Sequence, residues 1–216
     1  MKLYYNPLST YSQKALLAFY EKDISFEREV VWMNDADSRA AYAKIYPICK
    51  VPLLIADDSR MVPESSIVVE YLENHFPQGV RLIPEDSVAA RQVRFNDRMA
   101  DLYINEPGLK ILFDKIKIRA SLPEELERAH SFLKISYEGF DRKLEAGQWI
   151  CGKDFTMADC ALIPPLFYLE HQVPFAEYRN LAAYWERAKQ RASYRRVMEE
   201  FVPVWQGMMN AKADAA

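Results

Sequence analysis

Residues 47–54 read Pro-Ile-Cys-Lys-Val-Pro-Leu-Leu and decide the fold, because a proline stands where an apolar strand begins. Proline has no N–H for a sheet, so central strands normally exclude it. A cis bond between Val51 and Pro52 would resolve the conflict and would turn the Val51 N–H and C=O outward, ready to pair with an extended peptide. A trans proline on an edge strand is the alternative, and the dipeptide alone does not decide between the two.

The segments on either side of this stretch follow the order β-α-β-α-β-β-α. Alternating apolar residues predict strands, and apolar residues at helical spacing predict helices. The predicted segments are 3–5, 11–21, 26–32, 35–46, a hairpin at 51–62 and a helix at 64–75. Two βα units followed by a hairpin and a helix predict a small mixed sheet with helices on both faces.

The rest of the chain is predicted to be helical. Residues 76–85 contain two prolines and a glycine, which is typical of a linker. Helices are expected at 89–118, with a kink at Pro107-Gly108, and at 123–146, 156–171, 180–192 and 194–207. A chain of 216 residues suits two domains. The predicted boundaries are 1–77 for the first domain and 86–216 for the second.

The bulk composition excludes several classes of function. The 28 basic and 31 acidic residues argue against a nucleic-acid partner, which usually meets a basic face. No apolar run approaches the length of a membrane span, and the first residues do not resemble a signal peptide. Three scattered cysteines favour a reduced compartment, so a cytoplasmic location is expected. The three histidines lack ligand spacing, so no metal is expected.

The first cluster of chemical interest follows the first strand. Residues 10–13, Thr-Tyr-Ser-Gln, fit a capping box in which the Thr10 hydroxyl is the cap and Gln13 reaches back. Ser9 would then stand just outside the helix, with its hydroxyl above the positive helix end, where a thiolate is favoured. The alternative is that these hydroxyls are only turn and cap residues.

The second cluster is Glu64 and Ser65 at the start of the third helix. Exposed helix amides and a serine hydroxyl form a site for a carboxylate, and Glu64 beside them can take an ammonium. Together they match the two charges of an α-amino acid head. The alternative is an ordinary helix start, since Ser and Glu are common there.

Taken jointly, these motifs resemble the cytosolic glutathione transferases. The resemblance covers about residues 1–205 and rests on the order and spacing of Pro7-Leu8-Ser9-Thr10, Lys50-Val51-Pro52-Leu53, Pro63-Glu64-Ser65-Ser66-Ile67 and Phe155-Thr156-Met157-Ala158-Asp159. The last stretch is similar to the helical-domain capping motif of that family. Residues 98–115 also resemble a group of poorly characterised bacterial members. The family fold is α/β plus all-α: an N-terminal thioredoxin-like domain followed by an all-helical domain.

The resemblance implies roles for individual residues. Ser9 would be the activating hydroxyl of a serine-type enzyme, with Thr10 as its rival. Glu64 and Ser65 would hold the γ-glutamyl head of glutathione. Val51, next to Pro52, would pair with the cysteinyl backbone, and Lys50 would reach the glycyl carboxylate. The pocket for the second substrate would be lined by Tyr11, Tyr103 and Phe113.

The implied activity is attack of the glutathione thiolate on a small hydrophobic electrophile by a two-fold homodimer. A glutathione-dependent isomerase would use the same first step. A thiol transferase would need a reactive cysteine, and none stands in the Ser9 region. A non-catalytic protein-interaction module on the same fold is the remaining alternative.

Overall fold

A four-stranded sheet with three helices is formed by the first 75 residues of the protein, seen here in a computed structural model that describes residues 1–214 and side chains through residue 210. The elements are β1 (Lys2–Tyr5), α1 (Thr10–Glu21), β2 (Glu27–Val30), α2 (Ala36–Ala43), β3 (Leu53–Ile55), β4 (Met61–Pro63) and α3 (Ser65–His75). This is the predicted order, and the predicted mixed sheet is confirmed.

The strands lie in the order β2-β1-β3-β4. β1 is parallel to β2, whereas β3 is antiparallel to both β1 and β4. Leu53 pairs with Tyr4 on one side and with Pro63 on the other. The residues that follow β1, precede β3 and follow β4 therefore lie at one edge of the sheet.

The core of this region follows from the apolar pattern of its elements. Leu3 in β1 and Leu54 in β3 are completely buried, as are Val68 and Val69 in α3. α1 is buried along almost its whole length, because its residues from Ala15 to Phe19 are all apolar. Each fully buried side chain of this size contributes about 1.5–3 kcal/mol.

Residues 80–191 form a second compact unit made of helices. Its elements are α4 (Ser87–Ala100), a π-helical segment (Asp101–Asn105), α5 (Glu106–Lys115), α6 (Pro123–Leu144), α7 (Met157–Gln172) and α8 (Arg179–Lys189). Within this unit α7 is the buried centre, as its apolar sequence predicts; Cys160, Leu162 and Leu166 have no exposed surface.

The interruption between α4 and α5 lies before the predicted kink at Pro107-Gly108. Pro107 is in the first turn of α5, where its missing N–H is tolerated. A proline in a continuous helix would clash with the carbonyl four residues earlier, which is that of Tyr103. The wide π turn at Asp101–Asn105, just before the proline, avoids this clash.

The last helix, α9 (Ala192–Asp214), belongs to the first unit together with residues 1–79. The Glu200 carboxylate accepts hydrogen bonds from the hydroxyls of Tyr5 and Tyr20, and Phe201 is fully buried. This division differs from the predicted domain of residues 86–216. The reason is that the sequence of an amphipathic helix reveals its apolar face but not the partner that covers it.

Among the described residues, no helix combines the length and the apolar character needed to cross a membrane.

Candidate functional site

The sheet edge, defined here as residues 6–10, 50–52 and 64–66, brings together the clusters that the sequence singles out. The shared pairing of Leu53 with Tyr4 and Pro63 aligns the three segments. The Lys14 Nζ, one turn into α1, donates at 2.8 Å to the Ser66 Oγ in the first turn of α3. Two helix N-termini therefore start side by side, and both favour negative charge.

Ser9, and not Thr10, is the N-cap of α1. Its backbone is extended (φ −79°, ψ 117°), and its Oγ accepts the Ser12 N–H at 3.2 Å. Thr10 is the first helical residue and is 2% exposed, and its Oγ1 has no hydrogen-bond partner in the described part of the chain. The Gln13 side chain donates to the Pro7 carbonyl at 2.8 Å instead of reaching back to a cap. The predicted Thr10 capping box is therefore wrong, because the helix starts one residue earlier.

The turn before Ser9 is fixed by Asn6 and Ser12, which the sequence analysis did not single out. The Asn6 side chain donates to the Val31 carbonyl at 2.8 Å and accepts from the Leu8 N–H at 2.9 Å. The Ser12 Oγ accepts the Asn6 N–H at 3.2 Å. An asparagine directly after a strand and before a proline is a turn signal that could have been used to predict this.

The segment before β3 has the predicted cis peptide bond between Val51 and Pro52. Pro52 is buried, Val51 is half-buried and the Lys50 side chain is exposed. The Tyr42 hydroxyl donates to the Lys50 carbonyl at 2.7 Å. Burial raises the pKa of Tyr42, so this hydroxyl keeps its proton and remains a donor. The position of the segment is thus set by a neutral hydrogen bond from α2.

Glu64 turns the chain from β4 into α3 through an unusual backbone conformation. Its φ is 71° and its ψ is 126°, a combination that favours glycine. Its side chain is exposed, whereas Ser65 is 4% exposed at the first position of α3. A non-glycine residue in such a conformation costs about 1–3 kcal/mol. That cost is a reason to assign Glu64 a functional task.

Lys14 also belongs to the candidate site, although its role was not predicted from the sequence. It is 1% exposed and is followed in α1 by an unbroken run of buried residues. A lysine is almost never fully buried unless it is paired, and here its Nζ reaches Ser66. A lone basic residue at the start of an apolar helix was the available indication.

Two family models match this chain. The model described as "Glutathione S-transferase, N-terminal domain" matches residues 3–79. The model described as "Glutathione S-transferase, C-terminal domain" matches residues 109–192. The chain belongs to the glutathione S-transferase family.

Similar proteins agree with this membership over nearly the whole length. Glutathione S-transferase TCHQD of Arabidopsis thaliana is 24% identical, with 95% of this chain and 92% of the relative covered. The stringent starvation protein A homolog of Coxiella burnetii is 25% identical, with 93% and 92% covered. The structure of a glutathione S-transferase from Methylobacillus flagellatus with GSH bound has a TM-score of 0.81 and 27% identity, and the match covers 91% of this chain and 98% of that one.

In this member of the family the motif at the start of α7 forms as predicted. The Asp159 carboxylate accepts from the N–H and the hydroxyl of Thr156 at 2.8 and 3.1 Å. Its other oxygen accepts the Ile150 N–H at 3.0 Å. Complete burial raises the pKa of Asp159 to about 6. The Asp159 carboxylate therefore joins the start of α7 to the loop that precedes it.

The residues predicted to line a second-substrate pocket lie in different units. Tyr11 is half-buried in the first turn of α1, in the first unit. In the second unit, Tyr103 lies in the π-helical segment and meets Phe132 edge-on at 5.4 Å between ring centroids. Phe113 is half-buried in α5. Their joint role stays a prediction.

The described residues offer few candidates for cysteine or metal chemistry. Across the described residues, no group of three His, Cys, Asp or Glu side chains is placed to hold a metal ion. Burial raises the pKa of the Cys151 thiol, which disfavours its thiolate. Cys160 is completely buried in α7, and Cys49 is partly exposed near the sheet edge.

Proposed function

We propose that this chain is a glutathione transferase that binds glutathione at the sheet edge and directs its thiolate at a small hydrophobic electrophile. The observation that carries the proposal is the half-exposed cap residue Ser9 at the start of α1, next to the start of α3. Family membership and the bound GSH of the Methylobacillus flagellatus relative support the choice of ligand.

The parts of glutathione find matching chemistry at the sheet edge. The γ-glutamyl carboxylate takes the Ser65 hydroxyl and the free amides of the first turn of α3, and its ammonium takes the Glu64 carboxylate. The backbone of Val51 pairs with the cysteinyl residue as an added strand does. The exposed Lys50 ammonium is in the segment that would meet the glycyl carboxylate.

Ser9 is the better candidate than Thr10 for stabilising the thiolate. Its Oγ accepts a hydrogen bond from Ser12, so its own proton remains to be donated to sulfur. The Thr10 hydroxyl is buried. Lowering the pKa of a thiol by two units requires about 2.7 kcal/mol. A charge-assisted hydrogen bond of about 1.5–3 kcal/mol and a helix end of about 0.3–1 kcal/mol can supply it.

The stabilised sulfur anion then attacks an electrophilic carbon. A carbon–sulfur bond forms, and the bond to the leaving group breaks with its electron pair, so the charge departs with that group. The protein contributes proximity and a lower thiol pKa. Tyr11, in the first turn of α1, is proposed as an apolar wall that receives the electrophile.

The test follows thiolate absorbance of bound glutathione against pH. Ser9→Ala and Ser9→Gly both remove the hydroxyl, and both are expected to raise the thiol pKa by about one to two units, which corresponds to the lost hydrogen bond. Thr10→Val is the matched control, and its titration should follow the wild type. A thiol pKa that moves with Thr10→Val and not with Ser9→Ala would transfer the role to Thr10.

The second candidate is a non-catalytic interaction module. It is favoured by the similarity, over 93% of this chain, to a relative whose name is not that of a transferase. Fold does not fix function. The same titration separates the two, because a module that has abandoned glutathione would develop no thiolate absorbance at any pH. An isomerase would give the same thiolate signal, and product analysis with chosen electrophiles would separate it from a transferase.

A further inference from the structure

The turn between α5 and α6 exposes basic and apolar side chains together. Residues 115–122 read Lys-Ile-Lys-Ile-Arg-Ala-Ser-Leu and comprise the last residue of α5 and the whole connection to α6. The three basic residues are exposed, and Ile118 and Leu122 are 50% and 59% exposed. The stretch contains no acidic residue, whereas the whole chain has a net charge of −3. We call residues 115–122 the basic turn.

Backbone hydrogen bonds hold the start of the basic turn in a defined conformation. The Lys117 N–H donates to the Asp114 carbonyl at 3.2 Å. The Ile118 N–H donates to the Phe113 carbonyl at 2.9 Å. This pair of bonds is a common way to end a helix, and the residue at the place of Ile118 often packs back against that helix. Here Ile118 is half-exposed, so an ordered backbone presents its apolar surface to solvent.

Lys117 occupies a position that favours glycine. Its φ is 58°, and the residue that ends a helix in this left-handed conformation is usually glycine. A cation near the negative end of α5 is electrostatically favourable, which explains part of the pattern. It does not explain the exposed Ile118 and Leu122, because apolar side chains gain nothing from the helix dipole. Cations and apolar side chains on one turn suit a partner surface that is anionic outside and apolar beneath.

The acidic side chains on either side of the basic turn are already engaged. The Asp114 carboxylate accepts the Ser121 N–H at 3.0 Å. The Glu125 carboxylate accepts hydrogen bonds from the Lys110 ammonium at 2.8 Å and from the Leu122 N–H at 3.1 Å. These contacts fold the turn and pair Glu125 with Lys110, so the local charge of the basic turn stays positive.

We propose that the basic turn binds the surface of an anionic lipid bilayer, with its two exposed apolar side chains at the headgroup boundary and its three cations against the lipid phosphates. The turn is the tip of a hairpin of two helices that pack together, so it can touch a flat surface. Each Lys or Arg near an anionic membrane strengthens binding about fivefold. Such a contact is peripheral and reversible, and it is independent of the proposed glutathione chemistry.

The experiment uses the full chain and vesicles of phosphatidylcholine with or without phosphatidylserine. Co-sedimentation is expected to show binding only to the vesicles that contain phosphatidylserine, and this binding should weaken as salt is added. Lys117→Gly should weaken it about fivefold without unfolding the protein, because glycine suits the positive φ. Lys115→Gln combined with Lys117→Gln should weaken it about 25-fold. Ile118→Ser should weaken it about twofold to threefold.

The matched controls are Lys134→Gln and Ile135→Ser, which make the same kinds of change at exposed positions in the middle of α6 and should leave vesicle binding unchanged. A wild type that ignores phosphatidylserine, or a double lysine variant that binds as the wild type does, would overturn the proposal. Binding of a glutamate-rich peptide without binding of vesicles would also overturn it, because the turn would then serve a protein partner.

Discussion

Ser9 has a structural task as well as its proposed chemical one. Because its Oγ caps α1, Ser9→Ala is expected to lower the free energy of unfolding by about 1 kcal/mol, whereas Ser9→Gly should lower it by only a few tenths. Thr10→Val removes a buried hydroxyl that has no partner among the described residues, so it should cost nothing. Urea denaturation measures the free energy of unfolding of all three variants. A larger loss for Thr10→Val than for Ser9→Ala would contradict the capping assignment.

Two variants of Glu64 distinguish the effect of its strained backbone on stability from the effect of its carboxylate on glutathione binding. Glu64→Gly relieves the positive φ, so the free energy of unfolding should rise by about 0.5–1 kcal/mol after the entropy cost of glycine. Glu64→Gln keeps the strain and should leave stability unchanged. Both variants lose the carboxylate and should bind glutathione about tenfold more weakly. Thermal melting and calorimetry are the measurements. Unchanged affinity in both variants would remove Glu64 from the proposed site.

Among single residues, the sequence predicts the members of the candidate site but not the hydrogen bonds that they make. The clusters at Ser9, Val51 and Glu64 were found from spacing, and the sheet register aligns their segments. The cap was misassigned because Ser9 and Thr10 can each cap a helix that starts one residue later. The Ser9 N–H donates to the Asn6 carbonyl at 3.0 Å, and this turn decides the register. An asparagine before a proline predicts a turn, but serine and threonine are both good caps, so residue type alone does not show which of the two caps the helix.

Among the elements, the start of α7 has a pH dependence whose sign can be worked out. The pKa of Asp159 is about 6 in the folded protein, above its value of about 3.9 in an unfolded chain. Between these values the folded state binds more protons, so this group lowers stability as pH rises from about 4 to 6. The loss is about 1.4 kcal/mol for each unit between the two pKa values.

Asp159→Asn removes this titration and leaves the Thr156 and Ile150 amides with a poorer acceptor. The variant should be less stable than the wild type by about 1–3 kcal/mol. The difference in free energy of unfolding between the wild type and Asp159→Asn should shrink as pH rises from 4 to 6. Denaturant unfolding across this range measures it. A difference that grows with pH would mean that the pKa of Asp159 is depressed, not raised.

The boundaries of the long helices show what periodicity does and does not predict. The order of the helices was predicted correctly, whereas the π-helical segment at Asp101–Asn105 was not. Apolar spacing is nearly the same in an α-helix and across a single wide turn, so the pattern predicts a continuous helix. Pro107 was the indication of an interruption, because its ring would clash with the carbonyl four residues earlier in a continuous helix.

For the whole molecule we expect a two-fold homodimer, in which the first unit of one subunit meets the long helices of the other. Val88, Phe95 and Leu102 are 55%, 50% and 42% exposed, and their spacing of seven residues puts them on one face of α4 and its π-helical extension. Sedimentation should give twice the chain mass of 25.2 kDa. Phe95→Glu should shift the protein to the single-chain mass, whereas Ile135→Glu, at a position of α6 that is 62% exposed, should not. A wild type that sediments at the single-chain mass would contradict the dimer.

The placement of α9 has a consequence for how the protein is made. Residues 80–191 are contiguous, so this unit can close as soon as it leaves the ribosome. The first unit is split, and the acceptor of the Tyr5 and Tyr20 hydroxyls is Glu200, near the other end of the chain. Although synthesised first, this unit completes its contacts last. Nascent chains halted before residue 192 should therefore protect the middle of the sequence from proteolysis better than its beginning.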